Sequence, residues 1–110
     1  MKNESTNSLR RRRKALVRRL PSMQAILRGS LIKRYKKCGK PGCRCAQGPG
    51  HGPKYYLSVS QANGKPQIDY VPQGYYEQVE KYQANYRTIK EILKEICVIN
   101  SELLRRRERL

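Results

Sequence analysis

Three of the four cysteines and the only histidine of this chain lie in one segment rich in Gly and Pro. They are Cys38, Cys43, Cys45 and His51, with the spacing Cys-x4-Cys-x-Cys-x5-His. Three thiolates and one imidazole complete the tetrahedral shell of a structural zinc ion. The intervening glycines and prolines allow four ligands to converge without helical geometry. The segment therefore predicts a zinc knuckle with these four residues as ligands and zinc as the cofactor.

The same residues have other interpretations. The cysteines can be reduced and partly buried in a turn, with His51 hydrogen-bonded inside the loop. A Cys45–His51 nucleophile pair has no orienting Asp or Asn nearby, and the sequence carries no phosphate-binding glycine loop. A disulfide between two cysteines one residue apart would close a strained ring. We therefore predict no catalytic residue and no enzyme activity.

The charge of the chain is strongly positive. Its 110 residues hold 25 Lys and Arg against 8 Asp and Glu, a formal net charge of +17, and no acid occurs between Glu4 and Asp69. Such a field attracts polyanions, whereas surfaces adapted only for solubility mix both signs. No segment resembles a signal peptide or a membrane span. We expect a cytoplasmic protein that has nucleic acid, DNA or RNA, as its partner and no membrane contact.

The predicted nucleic-acid interface combines cations with one tyrosine, because cations meet phosphates and exposed rings stack on unpaired bases. Tyr56 is the stacking candidate, since Tyr35, Tyr55 and Tyr70 are expected to bury their rings against a helix. The residues of this interface are Arg10, Arg11, Arg12, Arg13, Lys14, Arg18, Arg19, Lys33, Arg34, Lys36, Lys37, Lys40, Arg44, Lys54 and Tyr56.

The elements that must position these residues are those of an α+β fold. We expect short N-terminal helices, a small three-stranded antiparallel meander that carries the Cys/His knuckle, and a long amphipathic C-terminal helix. The predicted regions of this one compact domain are a basic arm (1–21), a part with a short helix, the sheet and the knuckle (22–73), and the long helix (74–110).

Two predictions concern the N-terminal third, and one concerns the hairpin. Leu9, Leu16 and Leu20 share one face of a basic helix, whose like charges predict fraying until a partner neutralises them. Ser22 is the expected N-cap of a helix from residue 23 to residue 28, ended by glycine. The Asn-Gly pair at 63–64 predicts a tight hairpin turn.

The C-terminal region carries apolar residues at alternating steps of four and three, which predicts a heptad seam. Its members are Tyr75, Val79, Tyr82, Tyr86, Ile89, Leu93, Ile96, Asn100 and Leu103, flanked by Ile92, Ile99 and Leu104. Leu93, Ile96, Asn100 and Leu103 are the predicted partner helix, for docking on another protein or on a second copy. An internal hairpin with the N-terminal helix is the equally weighted alternative.

Several motifs resemble a family of small basic prokaryotic proteins of unknown function, often encoded among mobile-element genes. The resemblance rests on Cys-Gly-Lys-Pro-x-Cys-x-Cys at residues 38–45 and on His-Gly-Pro at 51–53, and it covers roughly residues 26 to 105. It implies a Cys/His knuckle, a hairpin and a long helix, but no activity. We therefore expect a zinc-stabilised nucleic-acid-binding accessory protein. The alternative is a protein-interaction subunit of a larger complex with a recombinase, a ribonucleoprotein or the ribosome.

Overall fold

The computed structural model describes residues 2–36, 48 and 51–110, with Lys36 and His51 described by their backbone alone. Helix α1 spans Thr6–Arg18 and helix α2 spans Tyr76–Arg105, the latter preceded by a 3-10 turn at Gln73–Tyr75. The strands are β1 (Ser30–Lys36), β2 (His51–Val59) and β3 (Gln67–Val71), and they form one antiparallel sheet in the order β1-β2-β3. The predicted α+β class is thereby confirmed.

The contacts divide the chain into two compact units. One consists of Met1–Ile26 with Ala84–Leu110, and the other of Leu27–Gln83. Helix α2 contributes its first residues to the second unit and the rest to the first. The predicted boundaries at residues 21 and 73 follow the secondary structure rather than these contacts, and they stay predictions.

The first unit is a helical hairpin in which α1 packs on α2. Its core is formed by Leu9, Leu16, Ile92, Ile99 and Leu103, with Leu20 and Ile96 packed against it. The predicted leucine face of α1 is therefore confirmed. The predicted fraying of α1 in the absence of a partner stays a prediction. Burying a leucine contributes about 1.5–3 kcal/mol, whereas a like-charge pair along a helix costs only about 0.2–0.5 kcal/mol, so this packing favours the folded helix. The Ser5 hydroxyl caps the helix by accepting from the Ser8 N–H at 3.1 Å.

The buried stripe of α2 differs from the predicted heptad seam. Ile92 and Ile99 lie in the core, whereas Leu93 and Leu104 are exposed. A straight α-helix drifts by about 20° per heptad, so a strict seven-residue repeat does not stay on the face that meets a short partner.

The predicted partner-helix residues are mostly occupied by the chain itself. Leu103 is fully buried and Ile96 packs on the same core, while the Asn100 side-chain oxygen accepts from the Arg13 guanidinium at 2.7 Å. The predicted role of these three residues in binding an outside partner stays a prediction. The internal hairpin uses them, and Leu93 alone of the predicted four stays exposed.

The predicted short helix at residues 23–28 is absent from this described part of the chain, which forms a turn instead. Within it the Ala25 N–H donates to the Ser22 carbonyl at 3.2 Å. The backbone groups that a helix would pair internally are bonded to α2: the Leu27 N–H donates to the Tyr82 carbonyl, and the Ala25 carbonyl accepts from the Asn85 side chain. Tertiary hydrogen bonds therefore replace the expected helix.

The second unit is the sheet with the start of α2. Leu57, Val71 and Val79 form its core. Gly29 precedes β1 with φ +135°, and its carbonyl accepts from the buried Gln83 side chain at 2.6 Å. A Cβ at this position would lie 2.8 Å from the Ser58 carbonyl oxygen, so the close approach of the chain to β2 requires glycine here.

Candidate nucleic-acid interface

One face of the sheet turns away from the core of the second unit. Residues directly opposite each other on paired strands share a face, and alternate residues along a strand point to opposite faces. The register pairs Arg34 with Lys54 and Tyr56 with Tyr70, while Leu57 marks the core side. We call the side that lacks Leu57 the outer sheet face; its described members are Ser30, Ile32, Arg34, Lys54, Tyr56, Ser58, Ile68 and Tyr70.

Three side chains of the outer sheet face form a continuous contact. The guanidinium of Arg34 lies over the Tyr56 ring, and the Tyr56 and Tyr70 ring centroids are 5.7 Å apart with the planes tilted by 60°. Tyr56 is half-buried, and the Tyr70 side chain is 55% exposed. A cation over a ring and two rings at this spacing are attractive arrangements, so the group is held in place.

The charge of the outer sheet face is positive. Arg34 and Lys54 are exposed and directly opposite each other. Asp69 is the only acid in the three strands, and it pairs with Leu57, which places it on the other face. Like charges directly opposite on neighbouring strands are destabilising. Among the residues that the structure describes, neither cation forms an ion pair, so their charges are not neutralised there.

A cleft adjoins the outer sheet face where β2 begins and β3 ends. It has a volume of about 510 Å³, and its lining includes Lys54, Tyr70 and Gln73. A second opening of about 430 Å³ shares Tyr55 and Gln73 and is bordered by Tyr76. The Tyr55 and Tyr76 rings are 4.4 Å apart, and burial is the main cause that raises the pKa of Tyr76 above its ordinary value.

Of the three tyrosines that were expected to be buried, one packs inward and two are exposed. Tyr55 packs inward, as predicted, but Tyr70 and Tyr35 are exposed. Tyr35 contacts Lys33, whose ammonium lies 5.6 Å from the ring centroid and whose pKa is raised, mainly by its hydrogen bond with Tyr35. Lys33 pairs with Tyr55, so it lies on the opposite side of the sheet from Arg34. Tyr70 is absent from the predicted interface residues, and its predicted burial is wrong.

Helix α1 presents a second basic surface, which belongs to the first unit. With 3.6 residues per turn, Arg11, Lys14 and Arg18 lie in one row on the side opposite Leu9 and Leu16. All three are exposed, as is Arg19 at the end of the helix, and none of them forms an ion pair within the described ranges. We call Arg11, Lys14 and Arg18 the α1 row.

Three other cations predicted for the interface are engaged within the first unit. Arg12 forms an ion pair with Glu4 at 2.8 Å, and Arg10 donates to the Arg109 carbonyl at 2.7 Å. Arg13 donates to Asn100 at 2.7 Å. These contacts hold α1 to its surroundings, so the structure separates the N-terminal cations into a positioning group and an exposed group.

The predicted metal site lies mostly outside the described residues. Cys38, Cys43 and Cys45 fall there, together with the predicted phosphate contacts Lys37, Lys40 and Arg44. The Cα partners Lys36 and His51 pair β1 with β2 immediately before and after this segment. That pairing places the backbone of His51 opposite Lys36, two positions before Cys38 in the sequence.

Three further observations concern the described ranges only. No group of three or more His, Cys, Asp or Glu side chains is assembled there, and Cys97 is exposed. None of the helices in these ranges combines the length and the apolar character that a bilayer crossing requires.

Comparison with known proteins adds a family but no activity. The family model described as "Domain of unknown function (DUF6788)" matches residues 6–81. The matched region begins with α1 and ends within α2. The resemblance in the sequence motifs instead covers about residues 26 to 105. The arginine-rich helix is therefore part of the matched region. No curated protein and no solved structure matches the chain.

Proposed function

We propose that this chain, which belongs to the family described as a domain of unknown function (DUF6788), is a nucleic-acid-binding protein that holds the phosphate backbone. The observation that carries the proposal is the α1 row. Its three cations are exposed on a helix whose opposite, leucine-bearing face packs in the core of the first unit. The whole chain has a net charge of +17. Because the helix is already folded, binding phosphates through this row requires no further ordering of the backbone.

The distribution of acids supports the same proposal. In α2, every lysine and arginine except Lys90 lies one helical turn from a glutamate, whereas the α1 row has no acid within a turn on either side. A duplex carries one negative charge per roughly 1.7 Å of its axis, so the row, about 10 Å long, always faces several phosphates. Backbone contact of this kind supplies affinity without sequence readout.

Zinc is the proposed structural cofactor. Cys38, Cys43, Cys45 and His51 would hold it, and the ion would stabilise the connection between β1 and β2 rather than take part in a reaction. We expect elemental analysis of the purified protein to give one zinc per chain. Cys38→Ser should lower this content, and Cys97→Ser, which removes a thiol outside the cluster, should leave it unchanged; equal zinc content in both variants contradicts the assignment.

The alternative function, a protein-interaction subunit, has less support. It depends on Leu93, Ile96, Asn100 and Leu103, and three of these contact the first unit's own α1 or its core. The cations of the α1 row have no such internal role among the described residues. Nucleic-acid binding is therefore the better-supported proposal.

Two triple variants with equal charge change test the proposal. Replacing Arg11, Lys14 and Arg18 with Gln should weaken nucleic-acid binding on the order of 100-fold at about 0.1 M salt, because each neutralised phosphate contributes a salt slope of about 0.7–0.9. The matched control replaces Lys81, Arg87 and Lys94 with Gln. Affinity is measured by fluorescence anisotropy with a labelled oligonucleotide. Equal losses in both triples contradict a role of the α1 row.

A further inference from the structure

We propose that the outer sheet face binds unpaired bases, so that the preferred ligand is a single-stranded nucleic acid rather than a duplex. This inference rests on the proposed function and names its substrate class. It is carried by Tyr70, Tyr56, Arg34 and Lys54, which the strand register places on one face.

Tyr70 provides the stacking surface. Its ring is 55% exposed on an edge strand, and the half-buried Tyr56 ring supports it from the neighbouring strand at 5.7 Å. An exposed aromatic ring that already packs against another ring loses little conformational entropy when a ligand binds, because its position is already fixed. Every base has a flat π-face, so such a ring accepts unpaired bases of any sequence.

Arg34 and Lys54 provide the charge. They lie directly opposite each other on β1 and β2, with Arg34 held over the Tyr56 ring at 5.5 Å. Two like charges in this arrangement repel. A phosphate between them removes the repulsion and pairs with both, so the backbone of a strand whose bases meet Tyr70 has cations next to it.

The cleft next to Tyr70 extends this surface. It is lined by Lys54 and Tyr70 from the outer sheet face and reaches Gln73, whose amide carries both donors and an acceptor. Its volume of about 510 Å³ lies within the range of roughly 300–1,000 Å³ that is typical of small-molecule sites. A base can enter such a cleft only when it is unpaired and unstacked, and a duplex offers no such base.

The experiment compares Tyr70→Ala, Tyr70→Phe and Tyr75→Ala in the full chain. Tyr75 is the matched control, because its side chain is 58% exposed and lies outside the three strands. Each variant is titrated with a poly-uridine RNA strand, an oligo-thymidine DNA strand and a hairpin duplex of equal charge, and circular dichroism checks folding. The RNA and DNA arms establish which backbone supplies the unpaired bases.

We expect Tyr70→Ala to weaken binding to at least one single strand by roughly 5- to 150-fold, the effect of losing one base–aromatic stack. Tyr70→Phe, Tyr75→Ala and all duplex affinities should stay within about twofold of the wild type. Unchanged single-strand binding by Tyr70→Ala, or an equal loss on the duplex, overturns the inference and leaves the proposed function in place. If the wild-type chain binds none of the three ligands at low salt, both fail.

Discussion

The guanidinium carbon of Arg34 lies 5.5 Å from the centroid of the Tyr56 ring. The two residues are diagonal neighbours on adjacent strands, two positions out of direct register, and both belong to the outer sheet face. The contact fixes a cation beside an aromatic ring before any ligand is present. Charge and stacking are therefore presented to a ligand by one rigid surface.

Replacing Arg34 separates charge from geometry. Arg34→Lys keeps the positive charge but loses the planar group that lies on Tyr56, and Arg34→Gln loses both. We expect single-strand affinity to fall in the order wild type, Arg34→Lys, Arg34→Gln, and only Arg34→Gln should reduce the salt slope, by about 0.7. Anisotropy titrations at several salt concentrations measure both quantities. Identical slopes for the two variants contradict direct phosphate contact by Arg34.

Two adjacent leucines test the packing of α1 on α2. Leu103 is fully buried, whereas the side chain of Leu104 is 55% exposed. Leu103→Ala should lower the free energy of unfolding by about 2–5 kcal/mol through lost burial and cavity formation. Leu104→Ala should change it by less than about 0.5 kcal/mol. Urea denaturation followed by circular dichroism measures both, and a larger effect at Leu104 would mean that the helical hairpin is wrong.

The pKa of Glu102 is held below its ordinary value, first by hydrogen bonds from Arg106 and then by those from Arg105. A carboxyl whose folded-state pKa is lowered stabilises the fold above its unfolded-state pKa, and this contribution is lost as the pH falls through the folded-state value. Glu102→Gln should therefore be less stable than the wild type at pH 7. The difference should shrink below the ordinary glutamate pKa of about 4.5.

Urea unfolding across this pH range measures the effect. Glu108→Gln is the matched control, since it removes an exposed carboxyl of the same type near the same helix end. A Glu102→Gln deficit that persists unchanged at pH 3 would assign the loss to packing rather than to the ion pairs.

Alanine substitutions at Gly29 and, as a control, at Gly74 test whether the chain requires glycine immediately before β1. Gly29→Ala places a methyl group 2.8 Å from the Ser58 carbonyl oxygen at φ +135°, whereas a Cβ on Gly74 meets nothing within 4 Å. We expect Gly29→Ala to destabilise the fold by about 1–3 kcal/mol and Gly74→Ala to stay within about 0.5 kcal/mol. Thermal unfolding of the two variants gives the comparison. Equal melting temperatures contradict the close approach of Gly29 to β2.

The sequence predicts the α+β class and the leucine face of α1, because periodicity and turn residues determine these locally. It does not predict the face of Tyr70. A two-residue Asn63-Gly64 turn would pair Leu57 with Tyr70, whereas the observed register pairs Leu57 with Asp69. The Gly64 N–H instead donates to the Gln61 carbonyl, and Gly64 has φ +83°, as in a three-residue turn with a bulge. One residue of register moves every side chain of β3 to the other face.

The remaining differences have tertiary causes. The heptad pattern of α2 could not distinguish Leu93 from Ile92, because the choice depends on where α1 packs. Hydrogen bonds to α2 replaced the helix expected after Ser22. The division of the N-terminal arginines into held and exposed groups depends likewise on partners distant in the sequence, such as Asn100 for Arg13.

The most direct test of nucleic-acid binding is the affinity of the chain for a single-stranded oligonucleotide as a function of salt concentration, from about 0.05 to 0.5 M KCl. The exposed cations of the two described basic surfaces are Arg11, Lys14, Arg18, Arg34 and Lys54. If each neutralises one phosphate, the logarithm of the association constant falls linearly with the logarithm of salt concentration, with a slope of about −3.5. An affinity that does not change with salt, or no binding at the lowest salt, would contradict the proposed function.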